Sequence, residues 1–189
     1  ASVWLSMVVS ISPAQDRFPT PIPPSEVSVR IEPFAAVPDS NPGQPPRLSV
    51  MTSGPAERWF VNDQRGPLYS IDTTGGQVTE YLDLRDFADL SLTSSSEAGF
   101  QSFAWHPESA QLGAAGFGRF YTIHSSNNIS STPDFDPGGG SSFHTVLLEW
   151  QTDDPSAANF QPMDPMQPYR EILRFSQPFG NHNAGLIAF

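Results

Sequence analysis

Apolar and polar residues alternate along this chain in short bursts rather than at helical spacing. Val27, Val29 and Ile31 are separated by Ser28 and Arg30. A period of two marks a strand with one buried face, so a first strand is predicted here and the folded part is expected to begin near Glu26. Further bursts predict strands over residues 48–52, 58–62, 68–72 and 78–82. The segments between them, Ser53-Gly54-Pro55, Gln64-Arg65-Gly66-Pro67 and Thr73-Thr74-Gly75-Gly76, carry the residues that make turns. Four short strands joined in this way predict one compact antiparallel sheet.

The pattern then recurs, with strands expected over residues 102–105, 119–123, 145–150 and 171–175, and Arg119-Phe120-Tyr121 echoing Arg58-Trp59-Phe60. A four-stranded unit repeating every few tens of residues is the signature of a β-propeller blade. The fold class predicted is therefore all-β, a partial β-propeller of about two four-stranded blades, with residues 185–189 opening a third. Propellers close with at least four blades, so the sequence reads as stopping within the fold. A two-sheet β-sandwich is the alternative that this length could complete.

Composition narrows the functional classes. The 20 prolines and 14 glycines among 189 residues are scattered without a period, which fits a loop-rich β fold and disfavours long helices. All nine basic residues are arginine, against 20 acidic ones, for a net charge of −11. Such a surface repels phosphates and anionic lipids, so neither nucleic acid nor membrane is expected as a partner. There is no cysteine, which excludes disulfides, thiolate metal sites and cysteine nucleophiles. Patterns for nicotinamide-binding, NTPase and serine-hydrolase sites are also absent.

At the N-terminus, an apolar run over residues 3–11 is too short to span a bilayer and is followed by Ser12-Pro13-Ala14. This predicts a signal peptide cropped at its front, over residues 1–14, and a periplasmic or secreted location. Residues 15–25 contain Pro19, Pro21, Pro23 and Pro24 and form a proline-rich connector. The propeller domain is assigned to residues 26–189.

Three stretches carry a family likeness. The first is Arg174-Phe175-Ser176-Gln177-Pro178-Phe179-Gly180-Asn181-His182-Asn183-Ala184-Gly185. The second is Glu97-Ala98-Gly99-Phe100-Gln101-Ser102-Phe103-Ala104-Trp105-His106-Pro107, and it leads on to Gly118-Arg119-Phe120-Tyr121. The third is Arg58-Trp59-Phe60-Val61-Asn62-Asp63-Gln64-Arg65-Gly66. In order and content these resemble the soluble pyrroloquinoline-quinone-dependent glucose and sorbosone dehydrogenases. Two departures stand out: Ala184 where that family has glycine, and Phe100-Gln101 where it has two leucines.

The resemblance implies a six-bladed propeller and a quinoprotein oxidoreductase that oxidises an aldose or related sugar, with a soluble electron acceptor. His182 matches the histidine that takes the hydroxyl proton, and an imidazole can do so at neutral pH. Glu97, Asn183 and Arg174 are the expected substrate or cofactor contacts. The implied cofactors are pyrroloquinoline quinone and calcium. The calcium ligands and the other basic quinone contacts would lie beyond residue 189, no metal ligands are assigned within this chain, and the chain alone is expected to be inactive. His106 reads as a structural turn residue, and His124 and His144 lack metal-type spacing. The loop Asp134-Phe135-Asp136-Pro137-Gly138 reads as a surface loop, and Asn128-Ile129-Ser130 as a formal glycosylation sequon. Two rival readings are a non-catalytic binding propeller and a propeller lactonase.

Overall fold

The computed structural model describes residues 27–95, 97–127, 132–183 and 185–189. The expected signal peptide and connector, the sequon and Ala184 lie outside the described residues. The chain divides into two units, Ala1–Glu32 and Pro33–Phe189. In the first, residues 27–32 form no strand; Val27, Val29 and Ile31 are exposed, and Arg30 pairs with Glu32 at 2.8 Å. The strand predicted there is corrected: alternation names the face a strand would bury, but it does not by itself make a strand, and the described residues 27–32 form none.

The second unit is all-β, with two four-stranded antiparallel sheets. The first sheet comprises β1 (Leu48–Ser53), β2 (Trp59–Asp63), β3 (Pro67–Ile71) and β4 (Val78–Asp83). The second comprises β5 (Phe100–Trp105), β6 (Arg119–Ser126), β7 (His144–Gln151) and β8 (Tyr169–Ser176). Each sheet keeps its strands in chain order, β1-β2-β3-β4 and β5-β6-β7-β8. This is the meander of a propeller blade, and among the described residues no strand passes from one sheet to the other as in a Greek-key sandwich.

The turns follow their chemistry. Between β2 and β3, Asp63 accepts hydrogen bonds from Gly66 N through its carbonyl and from Arg65 N through its carboxylate, both at 2.9 Å. Between β3 and β4 the Asp72 carboxylate accepts from Thr74 N at 2.6 Å and Gly75 N at 2.9 Å. Hydrogen bonds from the Thr74 side chain and from these two backbone groups hold its pKa below the usual carboxylate range.

Facing sides of the two sheets meet in an aromatic core. Phe60 and Tyr81 from the first sheet pack with Trp105, Phe120 and Trp150 from the second, and Phe160 enters from the loop after β7. Each such side chain gains about 1.5–3 kcal/mol from leaving water. The buried indole N–H of Trp150 is satisfied within the core, where it donates to Thr122 Oγ1 at 2.9 Å.

Polar bonds tie the first sheet to the start of β5. The fully buried Asn62 accepts from Val50 N at 2.9 Å and donates to the Phe100 carbonyl at 2.8 Å. Phe100 N donates to the Gln64 carbonyl at 2.8 Å, and Ser49 Oγ to the Gln101 carbonyl at 2.9 Å. This seam fixes the segment that precedes β5, where Glu97 stands.

Candidate active site

Ser95 and residues 97–102 form a braced turn. Ser95 N donates to the Ala98 carbonyl at 3.1 Å, and Arg47 reaches the Ser95 carbonyl at 2.7 Å. Gly99 has φ +145, and a Cβ there would stand 2.1 Å from the Gln64 carbonyl oxygen, so glycine is what lets the two backbones approach. Gln101 Nε2 donates to the Glu97 carbonyl at 2.6 Å. The Glu97 carboxylate is left half-exposed at the rim.

Against this turn lie residues 181–183 and 185–189. These described residues join no ladder, so residues 185–189 are not the strand predicted for them, although they do run beside β5. Ile187 N donates to Ser102 Oγ at 3.0 Å, Gly185 fits against the Ile123 side chain, and the Phe189 ring meets His106 and Tyr121. His182 has φ +57, the left-handed conformation that costs a residue with a Cβ about 1–3 kcal/mol. Its backbone N–H donates to Glu97 Oε2, and its Nδ1 lies 3.8 Å from the same oxygen. The imidazole is 85% exposed.

The structure thus joins two of the sequence-predicted residues, Glu97 and His182, across 85 positions of chain. At 3.8 Å the carboxylate does not hydrogen-bond the ring, so the bond between the two residues is the one from the His182 main-chain N–H. Asn183 follows directly, but its side-chain amide is buried with neither atom hydrogen-bonded. Arg174 is elsewhere. It sits on β8 in the row Phe100, His124, Val146, Arg174, three strands out from β5, and is 4% exposed. Its Nε and Nη2 donate to the two Glu171 carboxylate oxygens at 2.7 and 3.1 Å.

Around Arg174 the structure opens a cavity of about 520 Å³, lined by Asp89, His124, Asp134, Tyr169 and Glu171 among others. His124 is fully buried, and desolvation, with the nearby Arg174 charge second, pushes its pKa down to about 3 against the opposing Leu90 carbonyl. His144 is lowered for the same two reasons, desolvation first. His106 accepts from Glu108 N at 3.1 Å through Nδ1 and closes its turn. In the loop after β6, Asp134 pairs with Arg170 at 2.7 Å, and Asp136 accepts from Gly138 N at 2.7 Å. Among the described residues no group of three His, Cys, Asp or Glu side chains could hold a metal ion.

Sequence reasoning missed the supporting residues. Gln64 was visible only as part of a turn motif, and Gln101 only as a departure from the family pattern. Ser102 gave no signal, because its bond to Ile187 N depends on how two distant segments meet.

Fold and site together define an all-β chain of two blade-like sheets that presents a histidine–carboxylate pair at the start of the second. No family model matches the chain, and neither does any curated protein. Among solved structures, a Thermus thermophilus protein described provisionally as an oxidoreductase (glucose dehydrogenase) aligns with a TM-score of 0.44 and 12% identity. The alignment covers 77% of this chain and 30% of that one.

Proposed function

We propose that this chain supplies the proton-accepting part of an oxidoreductase site that acts on an aldose or related sugar, with His182 as the base. The observation that supports it is the Glu97–His182 contact, which places an exposed imidazole beside a carboxylate on a braced turn. In the reaction, the His182 imidazole takes the proton of a sugar hydroxyl. The hydrogen on the same carbon leaves with its electron pair, and the C–O bond becomes a carbonyl. That pair requires a two-electron acceptor.

The family resemblance implies pyrroloquinoline quinone, with calcium, as that acceptor. The quinone carries three carboxylates, which call for cationic partners. Among the described residues no arginine is hydrogen-bonded or ion-paired to Glu97, His182 or Asn183; the arginine at the turn, Arg47, donates to the Ser95 carbonyl, and the side chain that meets His182 is the Glu97 carboxyl group. These residues suit a neutral polyhydroxyl substrate and do not by themselves suit the quinone, whose cationic contacts and calcium ligands would have to come from other parts of the full-length protein. An exported location and a soluble electron acceptor belong to the same proposal.

The test is dye reduction by the full-length protein supplied with pyrroloquinoline quinone, calcium and a panel of aldoses. Sugar-dependent reduction is expected, and His182→Gln should lower turnover by about 10²–10⁴-fold without changing quinone binding or the melting temperature. Unchanged turnover in that variant would remove His182 from the chemistry. Failure to bind the quinone would leave the binding-propeller reading in its place.

A further inference from the structure

We infer that Glu97 is the positioning residue of this site and acts through the backbone of His182. The inference rests on the function proposed above and adds how the base is held. His182 stands in the left-handed region, at φ +57, with its ring in solvent, so packing does not fix it. Among the described residues its hydrogen-bond partner is Glu97 alone, through the main-chain N–H. Glu97 in turn is immobilised from behind. Gln101 clamps its carbonyl, the Ser95–Ala98 turn closes around it, and Gly99 seats the turn on the Gln64 carbonyl. The far side of the histidine loop is tied to the same strand through Ile187 N and Ser102 Oγ. One carboxylate therefore joins a rigid platform to a strained, exposed turn and holds the backbone from which the imidazole projects.

Gln101 belongs to this device. It occupies a position where the resembled family has an apolar residue, and its amide reaches the Glu97 main chain. A leucine there would leave that carbonyl without its side-chain donor.

The experiment compares Glu97→Gln and Glu97→Ala in the full-length protein. Two readouts are taken: hydrogen exchange at the His182 backbone amide, and kcat and KM for the best sugar. A Gln amide oxygen can still accept the His182 N–H, and Ala cannot. Exchange at His182 should be slow in the parent and in Glu97→Gln, and at least tenfold faster in Glu97→Ala. The kcat should fall about tenfold or more in Glu97→Ala with KM within twofold, and Glu97→Gln should recover most of the loss. Equal exchange in all three proteins overturns the inference. Loss in Glu97→Gln as deep as in Glu97→Ala also overturns it, because the carboxylate would then act by charge on the ring. Absence of turnover in the parent with the exchange difference intact would count against the enzyme reading and in favour of the backbone anchor.

Discussion

Glycine at position 99 makes a quantitative demand on the fold. Replacing it by alanine places a Cβ 2.1 Å from the Gln64 carbonyl oxygen and 2.7 Å from Gln64 Cγ, at a φ of +145. The nearest obstacle is backbone, which cannot swing aside. The positive φ costs about 1–3 kcal/mol. Moving the turn also disturbs two bonds, Phe100 N to the Gln64 carbonyl at 2.8 Å and Ser125 N to the Gly99 carbonyl at 2.9 Å. Each is worth about 0.5–1.5 kcal/mol net. The expected loss for Gly99→Ala is therefore about 2–6 kcal/mol. Two control positions separate the contributions. Gly113 has φ +84 but open space around its Cβ position, so Gly113→Ala should cost about 1–2 kcal/mol from the backbone alone. Gly75 has neither a positive φ nor a neighbour within 4 Å, so Gly75→Ala should lie within about 0.5 kcal/mol of the parent or slightly stabilise it. Urea unfolding followed by tryptophan fluorescence reads all three. With a slope of about 2 kcal/mol per molar urea, Gly99→Ala should lower the midpoint by about 1–3 M. A Gly99→Ala midpoint no lower than that of Gly113→Ala would refute the close approach at this turn.

Other expectations follow from the core. The unfolded chain binds a proton on His124 near pH 6.5 that the folded chain refuses until about 3, so stability should fall as pH drops through that window. The slope from this group is up to about 1.4 kcal/mol per pH unit, and His124→Gln should flatten the pH dependence of the urea midpoint between about pH 6.5 and 4. Thr122→Val should cost about 1–3 kcal/mol by leaving the buried Trp150 indole N–H without its acceptor. In a double-mutant cycle with Trp150→Phe the two losses should be less than additive, and simple additivity would show that the bond contributes nothing.

The eight strands of the two sheets were legible because their alternation is bounded by turn residues with definite roles, such as Asp63, Gly66 and Asp72. Their ends were less so. The strand containing His124 runs on to Ser126, which puts that histidine in the core rather than at a strand end. Val27, Val29 and Ile31 alternate as regularly as any true strand and yet stay exposed, since burial depends on tertiary packing that local pattern does not encode. At the site, the motifs named Glu97 and His182 separately. Their contact depends on Gly99, Gln101 and Ser102 bringing the end of the second meander back to its first strand. Arg174 was legible as a strand residue, but its face was not, because a register shift between β7 and β8 decides which neighbours it meets.

The meander order also bears on how the chain acquires its shape. Every ladder in the first sheet joins strands adjacent in the chain, so that sheet can form from short loop closures as soon as its last strand leaves the ribosome. Its inner face, with Phe60, Leu68 and Tyr81, would then remain uncovered until the second sheet emerges. During that interval the nascent chain presents a sticky apolar surface, which makes the pace of translation and chaperone access part of what determines the yield of native protein.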